Sequence, residues 1–212
     1  MTCIAAIVKD GMVYMGADSA GTDNCFGQVR RKDSKLFERK GFLIGCTSSY
    51  RMTQLLRFKL DPPKFHQEDK DLYEYMCTDF IDEVRKCLRE GGFAQNNKGE
   101  EWGGSFLVGI NGRIFHVEDD FQVGESFDNY DTCGCGDRYA LGAFSALAAF
   151  ETTNQKEITP HDKLVIALQA ASRFNAAVRG PFIFENTHSN NEPIKPTSTL
   201  RPKVTTLTRK KK

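Results

Sequence analysis

The sequence predicts an α+β fold in which two β-sheets are packed between two layers of helices, a four-layer αββα sandwich. The predicted elements follow the order strands, two helices, strands, two helices and strands. The helices carry apolar residues along one face, which has to be buried against a sheet. Asp-Gly and Asn-Gly turns separate several apolar runs, as in β-hairpins. The 212 residues suit one domain with a substantial core.

The first quarter of the chain is rich in predicted strands. Residues 2–8 (TCIAAIV) and 12–18 (MVYMGAD) flank an Asp-Gly turn, which predicts an N-terminal hairpin. A third strand is expected near residues 28–32. The runs KLFER and FLIGCTS flank a short turn at Lys40-Gly41, which predicts a further pair of strands.

Two helices are expected after these strands. Residues 49–59 form a short one, which ends before Asp61-Pro62-Pro63 because proline cannot continue a helix. The next helix is longer and ends at Gly91-Gly92. Its apolar residues recur every four positions and therefore share one face: Leu72, Met76, Phe80, Val84 and Leu88.

The second half of the chain repeats this alternation. The runs GGSFLVGI and RIFHVE flank Asn111-Gly112, the clearest hairpin signal in the sequence, and another strand is expected near residues 130–134. Helices are expected over about residues 138–151 and from Thr159, a good N-cap that is followed by Pro160. The remaining predictions are strands beginning near residues 181 and 203, and a surface loop over residues 95–103.

The amino-acid composition and charge argue against some functional classes of protein. The chain is 40% apolar and 27% charged, which is typical of a globular protein. Its net charge of +1 argues against a dedicated nucleic-acid-binding protein, which would carry a basic face. The basic residues of the tail, 206–212, are interpreted as a flexible, solvated end. No apolar run approaches the length of a membrane span, so no membrane association is expected.

The cysteines indicate a reduced protein without a metal site. Their number is odd and no signal-peptide pattern precedes them, which favours a cytoplasmic location. Cys133 and Cys135 have no second pair at a zinc-like spacing, and the histidines are scattered. The seven cysteines are Cys3, Cys25, Cys46, Cys77, Cys87, Cys133 and Cys135.

One ordered set of residues points to a specific chemistry. Thr2 is followed by an Asp-Gly turn, an acid at the end of the second strand, a basic segment and an apolar strand that ends in glycine. This order resembles the proteasome-type N-terminal nucleophile (Ntn) hydrolases, and most closely the short bacterial and phage proteasome-like β-subunit proteins. The resemblance covers most of residues 2–185 and implies the same αββα fold.

The resemblance implies that Thr2 becomes the nucleophile once Met1 is removed. Its side-chain oxygen would attack the scissile carbonyl, and its own α-amine would serve as the base. An α-amine has a pKa of about 7.7, which suits a base at cytoplasmic pH, and a threonine hydroxyl needs such a neighbour because it is a weak nucleophile alone. The alternative interpretation of Thr2 is an ordinary β-branched residue at the start of a strand.

The resemblance also assigns the residues around the nucleophile. Asp18 takes the family's acidic position and Lys32 the position of its lysine, which would lower the pKa of the Thr2 amine. Arg31 is the alternative to Lys32, because neighbouring strand residues face opposite sides. Gly45 matches the glycine whose backbone N–H stabilises the oxyanion.

Further positions match with departures from the family pattern. Gly21 and Thr22 correspond to substrate-binding positions, and Leu43 to the floor of the first specificity pocket, which predicts a preference for large apolar residues before the cut. Cys135 stands where the family has a supporting serine and Asn175 where it has an aspartate. Val178 replaces a second supporting serine and cannot hydrogen-bond through its side chain.

The sequence therefore predicts a cofactor-independent, threonine-type peptide-bond hydrolase. The resemblance implies a self-compartmentalising homo-oligomer that acts on peptides or unfolded proteins, with a possible ATPase partner. Two alternatives stay open on the same fold, since one fold hosts many functions. One is a non-catalytic assembly subunit, and the other is an amidase for small amides.

Overall fold

A computed structural model describes residues 1–22, 27–68, 70–97, 99–153 and 157–187 of the chain. Several predictions lie outside these residues: the strand near residue 203, the basic tail 206–212, Cys25 and His188.

The elements follow the order that the sequence predicts. The strands are β1 Cys3–Lys9, β2 Met12–Ala17, β3 Ala20–Thr22, β4 Gln28–Arg30, β5 Leu36–Arg39, β6 Phe42–Cys46, β7 Gln95–Asn97, β8 Glu100–Trp102, β9 Phe106–Ile110, β10 Arg113–Val117, β11 Val123–Glu125, β12 Tyr130–Gly134 and β13 Ile183–Asn186. The helices are α1 Tyr50–Lys59, α2 Leu72–Tyr75, α3 Ile81–Glu90, α4 Asp137–Thr152 and α5 Pro160–Phe174, and a π-helical segment, Met76–Phe80, joins α2 to α3.

Two antiparallel sheets form the centre of the fold. Within the described residues, one sheet has the strand order β12-β1-β2-β13 and the other the order β11-β10-β9-β6-β5. Helices α4 and α5 cover the first sheet, with a core that includes Ala143 and Leu168. Helix α1 and the helix from α2 to α3 cover the second sheet, with a core that includes Leu56, Phe80 and Phe106. The predicted αββα architecture is confirmed.

Strand β1 is apolar without interruption because it is buried on both faces. Its even residues, among them Ile4 and Ala6, pack between the sheets, whereas Ala5 and Ile7 pack under the helices α4 and α5. Strand β2 returns antiparallel to β1 after a turn at Asp10 and Gly11, which have the positive φ of a two-residue hairpin turn. Thr2 therefore lies at the end of a central, doubly covered strand.

The predicted helix boundaries hold where a capping residue marks them. The side chain of Ser49 accepts the N–H of Arg51 at the start of α1, and Thr159 accepts the N–H of Asp162 at the start of α5. The long helix of residues 72–90 keeps its predicted apolar face, and Asp71 caps its first turn. The π-helical segment within it was not predicted, because a single wider turn leaves the spacing of the apolar residues nearly unchanged.

The sequence prediction misses several short strands. Residues 95–103, expected to be a loop, contain the paired strands β7 and β8. The strands β3 and β11 were also not predicted. Each of these strands has only three residues, too few to show the alternation on which strand prediction depends. Among the described residues, no helix is long and apolar enough to cross a membrane.

A charged pair lies at the edge of the layer between the sheets. His116 on β10 places Nδ1 3.6 Å from Oδ2 of Asp131 on β12 and Nε2 3.6 Å from Oε1 of Glu118. Asp131 Oδ2 also accepts a hydrogen bond from the Ser126 hydroxyl at 2.6 Å. Burial alone would lower the pKa of His116, but its interactions with Asp131 and with Cys133 outweigh burial and raise this pKa to about 10. His116 is therefore a cation at neutral pH.

The raised pKa of His116 predicts a pH-dependent stability. Because the pKa is about 10 in the folded chain and about 6.5 in an unfolded one, the contribution of His116 is complete below about pH 6.5 and is lost as the pH rises towards about 10. The variant His116→Gln should lack this contribution. Its melting temperature should fall less than that of the parent between pH 7 and pH 10, with about 2–4 °C for each 1 kcal/mol in a domain of this size.

Thermal denaturation followed by circular dichroism at each pH measures this difference. His66→Gln is the control, because His66 is exposed; its curve should run parallel to that of the parent. Parallel curves for the parent and His116→Gln would contradict the assignment of a charged His116.

Candidate active site

A buried ion pair anchors the site at the N-terminal end of β1. Asp18 is fully buried and Lys35 is 3% exposed. Asp18 Oδ1 accepts Lys35 Nζ at 2.8 Å and the N–H of Cys3 at 3.0 Å, while Oδ2 accepts the N–H of Ala20 at 3.1 Å. A buried charge is costly unless it is paired and hydrogen-bonded. Both conditions are met for this carboxylate.

The Lys35 ammonium lies against the peptide bond that joins Met1 to Thr2. Its three N–H groups are directed to Asp18 Oδ1, to the Ala20 carbonyl at 2.8 Å and to the Met1 carbonyl at 3.4 Å. Thr2 itself is 5% exposed and lies on the wall of a cleft. The structure thus brings together the hydroxyl-bearing Thr2, a cation and a carboxylate.

Lys35, and not the predicted Lys32, is the lysine of this group. The side chain of Lys32 is exposed, because strand β4 already ends at Arg30 and the strand alternation does not extend to residue 32. Lys35 directly precedes Leu36, which is buried between the two sheets. This position before a buried strand is the signal in the sequence that could have identified Lys35.

The cleft beside Thr2 has a volume of about 410 Å³. Its walls come from the N-terminus, from the paired strands β3 and β4, and from residues 46–53, which comprise the end of β6, the turn after it and the first turn of α1. A smaller cavity of about 100 Å³ lies at the other end of β1, beside Lys9. The larger cleft is therefore the one that gives access to Thr2.

Strand β3 presents its backbone to the cleft. The Met1 α-ammonium donates a hydrogen bond to the Thr22 carbonyl at 3.2 Å, so the first residue of the chain already occupies part of the cleft. The Thr22 hydroxyl donates to the Ala177 carbonyl at 3.2 Å, which holds β3 in place. A Cβ on Gly21 would stand 3.2 Å from Cγ2 of Val29. Gly21 and Thr22 both line the cleft, and their role in substrate binding stays a prediction.

Gly45 does not supply a free amide to this cleft. The Thr47 N–H donates to the Ser105 carbonyl at 3.2 Å, and alternate residues of a strand direct their amides to the same side. The amide of Gly45 is therefore directed to β9, opposite Leu107. A Cβ on Gly45 would stand 2.7 Å from Cγ2 of Ile4. Its lack of a side chain serves close packing between the sheets, and the predicted oxyanion role is not supported.

Leu43 is also absent from the cleft. It is 1% exposed and packs in the layer between the sheets, because it shares the orientation of Gly45 on β6. The cleft wall near α1 is instead formed by residues with hydroxyl groups, among them Thr47, Tyr50 and Thr53. This polar wall was not predicted from the sequence.

Cys135 and Asn175, the two residues predicted to support the site, differ in whether they contact the cleft wall directly. The Cys135 thiol sulfur accepts the N–H of Ser48 at 3.1 Å, so it directly contacts the cleft wall. Asn175 ends α5, and its side-chain oxygen accepts the N–H of Ala177 at 3.0 Å. Asn175 therefore reaches the cleft only through Ala177, which holds Thr22. Val178 is fully buried under the helices.

The described residues contain no group of three or more His, Cys, Asp or Glu side chains that could hold a metal ion. What the cleft offers chemically is a threonine residue with a hydroxyl group, an ammonium group against the peptide bond that precedes this threonine, and backbone groups for an extended chain. This set can support nucleophilic attack on a carbonyl group if a base is present beside the hydroxyl.

Comparison with solved structures supports the fold, whereas the other comparisons found no match. No family model and no curated protein matches the chain. Among solved structures, BPH from Thiobacillus denitrificans aligns with a TM-score of 0.68 at 19% identity, covering 90% of this chain and 100% of that one. HslV from Trypanosoma brucei aligns with a TM-score of 0.65 at 17% identity, covering 87% of this chain and 98% of that one. Anbu from Yersinia bercovieri aligns with a TM-score of 0.55 at 17% identity, covering 87% of this chain and 81% of that one.

These alignments cover 87–90% of this chain and 81–100% of the chains of the solved structures. Together with the layer order and the strand topology, they show that the chain has the fold of the proteasome-type Ntn hydrolases.

Proposed function

We propose that the protein is a threonine-type peptide-bond hydrolase in which Thr2 is the nucleophile after removal of Met1. The observation that carries this proposal is the contact of Lys35 Nζ with the Met1 carbonyl at 3.4 Å. That contact places a cation, fixed by buried Asp18, at the peptide bond whose nitrogen becomes the α-amine of Thr2. The residues at this position are those that a self-activating threonine needs.

Removal of Met1 changes the site in two ways. Lys35 loses the Met1 carbonyl as an acceptor, and Thr2 gains a free α-amine next to the ammonium group. A neighbouring cation disfavours protonation of an amine and lowers its pKa. The neutral amine can then accept the proton of the Thr2 hydroxyl.

The reaction follows from these positions. The Thr2 oxygen attacks the scissile carbonyl carbon while its proton moves to the α-amine, and the α-ammonium then protonates the leaving amine. A water molecule, activated by the same amine, hydrolyses the acyl-threonine ester. The Ser48 N–H, which donates to the Cys135 sulfur, a weak acceptor, is the amide on this wall that a substrate oxygen could recruit.

A hidden site in a homo-oligomer would restrict this activity to peptides and unfolded chains. Helices α4 and α5 expose Leu141, Phe144, Ile166 and Phe174, and helices α1 and α2 expose Phe58 and Tyr73. These side chains are candidates for subunit contacts. An ATP-driven unfolding partner and a cytoplasmic location belong to the same proposal.

Single substitutions test whether Lys35 or Lys32 is the lysine that acts with Thr2. With Met1 removed, Thr2→Ala should lower peptide hydrolysis by about 10³-fold or more, and Lys35→Ala by about 10²–10⁴-fold. Lys32→Ala should hydrolyse peptides like the parent, because its side chain is outside the cleft. The double variant of Thr2 and Lys35 should be no worse than Thr2→Ala, since both residues act as one unit.

Fluorogenic peptide assays measure these rates, and circular dichroism checks the fold. Lys35→Ala leaves Asp18 buried without a partner, so Lys35→Met combined with Asp18→Asn provides a variant without either charge. A Thr2→Ala chain as fast as the parent would refute the nucleophile, and inactivation by Lys32→Ala would refute the choice of lysine.

The second prediction concerns Met1. A chain that keeps Met1 should not react with a peptide epoxyketone, whereas the processed chain should gain the mass of one inhibitor, because attack requires a hydroxyl beside a free amine. The reported complex of Thiobacillus denitrificans BPH with epoxomicin makes this class of inhibitor a suitable probe. Intact-mass spectrometry reports both events. A processed chain that forms no adduct and cleaves no peptide would favour a non-catalytic subunit, and turnover of small amides alone would favour an amidase.

The third prediction concerns assembly. Because apolar side chains are exposed on both helical layers, the purified chain should sediment as an oligomer at micromolar concentration in analytical ultracentrifugation. Phe174→Glu and Leu141→Glu should shift it towards smaller species. A single species with the 23.9 kDa mass of one chain would contradict the proposed oligomer.

A further inference from the structure

Arg31 is held rigidly at the wall of the cleft. Its Nε and Nη2 donate to the two carboxylate oxygens of Asp33 at 2.8 and 2.7 Å, and its guanidinium carbon lies 3.9 Å from the centre of the Tyr50 ring. The missing side chain of Gly21 leaves space for this arrangement, since a Cβ there would stand 3.3 Å from Cδ of Arg31. The guanidinium is thus fixed on one edge and on one face.

The opposite edge of this guanidinium is available for a ligand. An arginine has five N–H donors, and the pair with Asp33 uses two of them. Among the residues that the structure describes, Nη1 of Arg31 has no hydrogen-bond partner, and the side chain is 37% exposed. A planar, preorganised donor edge of this kind matches the two oxygens of a carboxylate.

Tyr50 adds a second donor at the same wall. Its hydroxyl oxygen is buried and has no hydrogen-bond partner in the described part of the chain. Burial raises the pKa of this hydroxyl to about 12, so it remains a donor at neutral pH. A buried polar group without a partner is unfavourable, and a substrate oxygen would satisfy it.

The charges along the cleft favour an anion. The charged groups on its wall within the described structure are all cationic, namely the Arg31 guanidinium, the Lys35 ammonium and the Met1 α-ammonium, and Lys35 is paired with the buried Asp18. Asp33 faces the far edge of Arg31 and is not part of the wall.

We infer that Arg31 and Tyr50 form a subsite that binds a carboxylate of the peptide substrate, supplied by an Asp or Glu side chain or by a free C-terminus. This inference rests on the proposed hydrolase function and names its substrate class. It replaces the apolar preference predicted from Leu43, because Leu43 is buried between the sheets and does not line the cleft.

Matched peptides test the subsite. A set that places Glu or the isosteric Gln at each of three positions on either side of the cut should show faster cleavage with Glu at one position, by about tenfold or more, as for a charge-assisted hydrogen bond. The same peptides with amidated or free C-termini distinguish the two sources of the carboxylate. The chain is produced as a cleavable fusion, so that Thr2 is its first residue.

Variants assign the preference to Arg31. Arg31→Gln should abolish the Glu-over-Gln ratio, and Tyr50→Phe should reduce it while keeping the ring. Lys32→Gln removes the same charge one residue away, outside the cleft, and should leave the ratio unchanged. An equal loss in Lys32→Gln would show that only the general charge of the hairpin matters and would overturn the subsite.

A binding measurement separates this inference from the proposed chemistry. Fluorescently labelled Glu and Gln peptides are titrated with the inactive Thr2→Ala chain and followed by anisotropy, with and without Arg31→Gln. Tighter binding of a carboxylate peptide that depends on Arg31 supports the subsite even if no peptide is cleaved, in which case the hydrolase proposal fails alone. Equal binding of the Glu and Gln peptides, with equal binding of free and amidated C-termini, overturns the subsite whatever the activity.

Discussion

The buried pair of Asp18 and Lys35 is the interaction on which the arrangement of the site depends. Its two charges lie at most 3% exposed, where an unpaired charge would be strongly destabilising. The pair is stable because backbone groups complete its hydrogen bonds: the Cys3 and Ala20 amides on the carboxylate, and the Ala20 and Met1 carbonyls on the ammonium. These contacts tie the start of β1, the start of β3 and the residue before β5 to one point. The chain around Thr2 is therefore held in place by the hydrogen bonds that the buried ion pair requires.

The rest of the fold makes that point accessible on one side only. Strand β1 is covered on both faces, so the N-terminus emerges from the centre of the molecule at the end of a rigid strand. The layer between the sheets is apolar up to Cys133 and ends at the Thr47 hydroxyl, which lies 3.9 Å from the Cys133 sulfur. Beyond Thr47 the wall becomes polar. This change in polarity separates a dry core from a cleft that can receive a peptide backbone.

The sequence predicted what depends on periodicity and on strong local signals. The hairpin turns, the capped helices and the order of layers follow from apolar spacing and from residues such as Ser49 and Thr159. Asp18 could be placed because it ends a clear strand. Lys32 was the wrong lysine because the segment after β4 bends, and a bend has no period from which a side-chain direction can be read. The roles given to Gly45 and Leu43 were wrong for a related reason, since the register of β6 between β5 and β9 directs both away from the cleft.

The position of Met1 connects the geometry of the site to its regulation. Its ammonium and its carbonyl take up the Thr22 carbonyl and the third donor of Lys35, the same groups that an extended substrate and a free Thr2 amine would use. In the proposed mechanism, a chain that keeps Met1 would be blocked twice, because Met1 occupies part of the cleft and the nitrogen that would serve as the base is part of an amide. Removal of this one residue would relieve both blocks at once. Processing of the N-terminus, rather than any movement of the sandwich, is the step that would turn this arrangement into a catalyst.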